Sequence, residues 1–181
     1  MKIAIDPGHG MSNAKPDVYD PGATKKVGSE TFAEADIALR YGLTLRKVLE
    51  ARGVETFMTR TSSADPAPVT RRATRARKAG CTHFVALHLN SDDSPSAHGV
   101  EVQYRNNAKD KPLADRIQSR LIKVTGFNDH GNDQRLDLAV LKFSAGPAVL
   151  IELGFITNTA DRDSLLQGAN REASVRRSPT W

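Results

Sequence analysis

The sequence predicts an α/β fold: a single domain built on a twisted, mostly parallel sheet of about six strands flanked by helices. Three observations carry this expectation. Short apolar runs alternate with segments of helical periodicity along the chain. The run at 83–90 is apolar at both parities, with Phe84 and Ala86 against Val85 and Leu87, as in a strand covered on both faces. Glycines 53, 80 and 126 close the helical segments, where a left-handed residue ends a helix at least cost.

In chain order, residues 2–6 form the first predicted strand and 10–29 a long loop. A helix over 32–52 carries Ile37, Tyr41, Leu45 and Val48 on one stripe and stops at Gly53. Residues 54–59 are the second strand and 61–68 a loop, and 69–79 is a short helix with Val69, Ala73 and Ala76 on one face. Strand 83–90 follows, then a loop at 91–98. The strand at 99–105 alternates Val100, Val102 and Tyr104 with Glu101 and Gln103, the pattern of an edge strand with one wet face. Asp110-Lys-Pro112 opens a third helix with Leu113, Ile117, Leu121 and Val124 as its stripe. Residues 128–137 read as a loop, and 139–143 and 148–155 as the last two strands. After Gly168 the chain is basic and weakly periodic. No repeat or linker divides residues 1–181, so one domain is expected.

With 39% apolar and 26% charged residues, the composition is that of an ordinary globular domain. No run approaches the roughly 18 apolar residues of a membrane span. The chain opens on a strand, so no signal peptide is expected. A single cysteine, Cys81, excludes an internal disulfide framework and reads as a small buried residue. Net charge is 26 − 21 = +5, which favours anionic partners. The densest basic cluster, Arg71, Arg72, Arg75, Arg77 and Lys78, reads as the solvated face of a helix. There is no helix-turn-helix or zinc-finger spacing and no aromatic platform for bases, so nucleic acid is not an expected partner.

The residues that stand out chemically are polar ones inside or at the ends of apolar strands. Glu152 lies within Pro147-Ala-Val-Leu-Ile-Glu-Leu-Gly-Phe-Ile-Thr157, where an ionised carboxylate needs a specific partner. An internal ion pair and a functional role both satisfy that need. His9 follows the first strand and His88 sits near the end of 83–90. Ligands of open α/β sheets bind outside the carboxyl ends of the strands, so two such histidines can converge, and converging imidazoles suggest zinc. Glu34, three residues before Ile37 on the helix stripe, is a candidate third ligand. It also fits a capping box with Thr31, and Glu30 is a rival on a loop. Asp6 is a candidate to orient His9, and Asn90 and Asn158 to line the site. His83, His98 and His130 read as non-ligands.

These residues resemble the zinc-dependent N-acetylmuramoyl-L-alanine amidases, the type-3 amidase family of bacterial cell-wall hydrolases and phage endolysins. The resemblance lies in Ile3-Ala-Ile-Asp-Pro-Gly-His-Gly10, in Glu34 with the helix ending Leu49-Glu-Ala-Arg-Gly53, and in Ala86-Leu-His-Leu-Asn90. It continues through Leu138-Ala-Val-Leu141 into the strand around Glu152 and on to Asn158. The blocks keep the family's order. Met11 stands where a second glycine is common, Leu89 where alanine is usual, and the family's final helix is weakly represented after Gly168.

The resemblance implies that His9, Glu34 and His88 bind one Zn2+ per chain and that Glu152 is the catalytic glutamate. Glu34 is preferred to Glu30 by its distance to Gly53. It implies hydrolysis of the amide between N-acetylmuramic acid and L-alanine in peptidoglycan, at the bacterial cell wall, by a phage endolysin or an excised autolysin domain. A zinc peptidase, a deacetylase or a non-catalytic wall-binding module are the alternatives. Some relatives carry a regulatory helical insertion before the catalytic glutamate. The corresponding stretch here is filled by ordinary elements, so no obligate activator is expected, and a monomer is.

Overall fold

The computed structural model describes residues 1–175. The chain runs through β1 (Lys2–Pro7), β2 (Gly10–Met11), β3 (Tyr19–Asp20), β4 (Thr24–Val27) and β5 (Glu30–Ala33) into helix α1 (Glu34–Glu50). Then come β6 (Glu55–Met58), α2 (Val69–Lys78), β7 (His83–Asn90), β8 (Val100–Tyr104), α3 (Lys111–Thr125) and β9 (Asp129–Gln134). A 3-10 turn at Val140–Lys142, β10 (Ala148–Phe155) and α4 (Thr159–Val175) complete it. The six-stranded main sheet has the order β6-β1-β7-β10-β8-β9 and is parallel except between β10 and β8. The predicted fold class holds.

Strand periodicity divides the core into two layers. Ile5, Leu87, Leu89, Val149 and Ile151 face α1, α3 and α4 and meet Ile37, Ala38, Ala114 and Leu165. Alternate residues Ala4, Phe84, Ala86, Ala148 and Leu150 face the other way, toward Ala76 of α2 and Val140, Leu141 and Phe143. Each large apolar side chain buried here contributes about 1.5–3 kcal/mol. Cys81 is buried and free, as expected. Among the described residues no helix is long and apolar enough to cross a membrane.

Several elements differ from the sequence reading, each for a physical reason. The predicted strand at 139–143 is the 3-10 turn, apolar because Val140, Leu141 and Phe143 plug the α2 side of the core. The sixth strand is instead β9, inside the predicted loop 128–137. Its sequence, Asp-His-Gly-Asn-Asp-Gln, is polar throughout, and only its main-chain pairing with β8 makes it a strand. That pairing makes β8 an interior strand rather than an edge, and Gln103 is buried. Val124 is 81% exposed and falls off the α3 stripe, which ends with Leu121. Helix α4 begins before the weakly periodic stretch after Gly168, runs into it, and docks through Leu165 and Leu166. The basic residues 176–181 of the tail lie outside the described residues. The long loop at 10–29 contains most of two small ribbons, β2–β3 and β4–β5.

Candidate metal centre

The carboxyl ends of β1, β7 and β10 bring the singled-out residues together. His9 follows β1 with φ of +57°, a left-handed backbone that a non-glycine residue keeps only when its surroundings hold it. Two buried arginines do so. Arg60 donates from Nε to Pro7 O (3.0 Å) and from Nη2 to Gly8 O (2.7 Å), and Arg72 Nη2 donates to His9 O (2.6 Å). Arg72 therefore does not lie on a solvated face: it is 1% exposed, because its guanidinium turns inward to the ion pair with Asp6. Gly8 is required by space, since a Cβ there would collide with the His88 ring.

Glu34 is the first residue of α1, and its carboxylate is saturated. Oε1 lies 2.8 Å from His88 Nδ1 and 3.1 Å from His9 Nε2 and accepts the Leu89 amide at 3.0 Å. Oε2 accepts the Ala23 amide at 2.8 Å. The capping box does not form. Thr31 is paired within β5, the N-cap is Ala33, and the first amides of the helix go to carbonyls of Ala23 and Pro21 instead. Glu30 is exposed in β5 and stands apart from the cluster.

One ligand atom from each of His9, Glu34 and His88 lies within 4.8 Å of the others, the one such trio of metal-binding side chains among the described residues. Burial works against an ionised Glu34, but hydrogen bonds from His88 and His9 prevail and hold its carboxyl well below the usual range. Burial likewise pulls His9 down, and Glu34 and Asp20 overcome it to push the ring up to about 9. Two imidazoles and a carboxylate thus converge on one point and draw positive charge to it. That donor set, two histidines and a carboxylate, fits a divalent ion of the zinc type.

The residue that orients His9 is Asp20, which the sequence reading missed. Its Oδ2 lies 2.9 Å from His9 Nδ1, leaving Nε2 turned toward Glu34. Asp6, expected in this role, lies within β1 with its side chain toward α2, where it accepts from Arg72 (2.7 Å) and Thr59 (2.5 Å). A usable signal for Asp20 is Asp20-Pro21-Gly22, a turn ahead of the β4–β5 ribbon that leads into the Glu34 helix. Gly22 has φ of +66°, and a Cβ there would strike both Glu34 and His9.

Glu152 stands beside this trio and is held by no cation. It is the register partner of His88 in the parallel β7–β10 pair, so the two side chains emerge on one face. Its Oε2 is buried without a hydrogen-bond partner, and it joins no ion pair among the described residues. Burial pushes its carboxyl up to about 7, tempered by His88 and reinforced by the negative charges of Glu34 and Glu101. The register of β10 against β7 shifts between Glu152 and Phe155, immediately after the site residue.

The other singled-out residues make local hydrogen bonds. Asn90 accepts the Ser91 amide, and Asn158 caps α4 through the Asp161 amide (3.1 Å) while holding Pro95 O (2.9 Å). His83, His98 and His130 lie outside the trio, as expected, although His130 belongs to β9 rather than to a loop and packs 5.2 Å from the Phe155 ring.

A buried carboxylate oxygen without a hydrogen-bond partner beside a trio of potential metal ligands, at the carboxyl ends of parallel strands, places the candidate site of this α/β domain where open sheets carry their ligands. Sequence comparison makes this specific. Residues 3–177 match the N-acetylmuramoyl-L-alanine amidase family, the type-3 amidases, and the chain belongs to it. It is 31% identical over 176 residues, 96% of its length, to the N-acetylmuramoyl-L-alanine amidase LytC of Bacillus subtilis, and it spans 33% of that relative. The fold matches the N-acetylmuramoyl-L-alanine amidase AmiC2 of Nostoc punctiforme with a TM-score of 0.81 at 28% identity, covering 96% of this chain and 91% of that one. The catalytic domain of CwlV from Bacillus (Paenibacillus) polymyxa gives 0.80 at 26% identity, covering 96% and 92%.

Proposed function

We propose that this chain is a zinc-dependent amidase that cleaves the bond between N-acetylmuramic acid and L-alanine in peptidoglycan at the bacterial cell wall, and that residues 1–181 form one catalytic domain. The observation that carries the reading is Glu152, raised and unpartnered beside a trio of ligand atoms. His9, Glu34 and His88 hold one ion. Zinc, when bound, supplies Lewis-acid polarisation of the scissile carbonyl and acidifies water at neutral pH. Glu152 takes the proton of the attacking water as general base and then delivers it to the departing alanine amine as general acid. Its raised proton affinity suits both halves of that transfer. Glu34, saturated with donors, is a ligand and not the base. Asp20 keeps the His9 Nε2 lone pair aimed at the ion by accepting from Nδ1.

The stretch between His88 and Glu152 is accounted for by β8, α3, β9 and the 3-10 turn, which supports activity without an activator, and the chain is proposed to act as a monomer. The test is clearance of purified sacculi with and without a chelator, followed by product analysis. Chelator-sensitive clearance that releases new L-alanine amino termini without new reducing sugar ends is expected. Release at another amide, or clearance indifferent to chelator, rejects the proposal.

A further inference from the structure

Resting on the zinc reading above, a second question is what holds Asp20. A continuous chain of hydrogen bonds connects it to the interior of the sheet. Arg72 uses all five of its N–H donors: Nε to Ala67 O (2.9 Å), Nη1 to Asp6 Oδ1 (2.7 Å) and Pro7 O (2.8 Å), and Nη2 to His9 O (2.6 Å) and Asn13 Oδ1 (3.0 Å). Asn13 Nδ2 in turn donates to Asp20 Oδ2 at 2.6 Å, the same oxygen that lies 2.9 Å from His9 Nδ1. The other Asp20 oxygen accepts the Gly22 amide at 2.9 Å.

A guanidinium offers only donors and a carboxylate only acceptors, so a carboxamide between them satisfies both, with its oxygen toward one and its nitrogen toward the other. Asn13 has that arrangement. Its own main chain is fixed as well, since its carbonyl accepts the Val69 amide at 3.0 Å where α2 begins. His9 is therefore gripped twice from one source. Arg72 holds its carbonyl directly and, through Asn13 and Asp20, the back of its ring.

We infer that Asn13 is a positioning residue of the metal centre: by bridging Arg72 and Asp20 it fixes the carboxylate that aims His9 at the ion. It touches neither ion nor substrate, so its effect passes through Asp20. The two substitutions are therefore coupled.

The experiment is a double-mutant cycle on zinc affinity, measured by competition with a chromophoric chelator on the full chain. Asn13→Ala is expected to weaken zinc binding by about tenfold, the lower end of the range for groups that support a ligand from behind. In an Asp20→Asn background the same substitution is expected to cost less than about twofold. Asn13→Ser, too short to span both neighbours, runs the same cycle if Asn13→Ala does not fold, with melting of the metal-free proteins reporting the fold. An equal cost in both backgrounds, or no cost in either, overturns the inference and leaves the zinc reading standing. A parent chain that binds no zinc overturns both.

Discussion

Glu34 and Glu152 lie at the same end of one sheet, both largely shielded from water, and their surroundings drive them in opposite directions. Around Glu34, two histidine rings and the Ala23 and Leu89 amides supply donors to both oxygens, and the carboxyl stays ionised far below its ordinary range. Around Glu152 no donor reaches Oε2, and burial lifts the carboxyl to about 7. Burial alone thus assigns neither role. Under the proposed function, the donors that the fold supplies decide which carboxylate serves as a permanent anionic ligand and which is free to exchange a proton.

The comparison breaks most completely when the ligand region is dismantled. His88→Ala is expected to lose its zinc and to drop turnover to background, as metal analysis and release of L-alanine amino termini would show. Retention of one zinc per chain by that variant would remove His88 from the ligand set. A smaller effect follows from loosening the support behind the trio. Asp20→Asn is expected to weaken zinc by about 10–100-fold, measured by competition with a chromophoric chelator. Unchanged affinity would mean that the His9–Asp20 contact orients nothing.

The smallest effects are in the pH dependence of the metal-free fold, where the signs separate the two regions. Glu152 binds its proton more tightly folded (about 7) than unfolded (4.5), so its burial costs stability progressively as pH rises from 4.5 through 7. His9, raised from 6.5 to about 9, contributes stability that is full below 6.5 and lost as pH rises through 9. Glu34 has the opposite sense: its contribution is present above 4.5 and lost as pH falls through its depressed folded value. The metal-free melting temperature should therefore decline between pH 6.5 and 9. Glu152→Gln should melt a few degrees above the parent at pH 8 and level with it at pH 4. A variant that melts lower than the parent at pH 8 would show that the Glu152 carboxylate is stabilised rather than strained.

The sheet's centre and most of the site were legible from sequence for the same reason. β1, β7 and β10 are apolar strands, so His88 and Glu152 break a pattern and His9 ends one. β9 was illegible because its stability comes from main-chain pairing at the sheet edge, which leaves no mark in hydropathy. The supporting residues were illegible for a related reason. Asp20, Asn13 and Arg72 are polar residues in polar stretches, and only the fold brings Arg72 of α2 against residues 59 and 63 positions earlier in the chain. Charge patterning placed Arg72 in solvent, because a one-dimensional reading cannot see a buried carboxylate such as Asp6 waiting for it.

The division of labour between the two carboxylates is tested most directly on a single Glu152→Gln preparation, by measuring bound zinc and amide cleavage of peptidoglycan together. The account predicts one zinc per chain, as in the parent, with turnover reduced by about 10²–10⁴-fold. Full turnover would contradict Glu152 as the proton carrier, and loss of zinc together with activity would place it among the ligands instead.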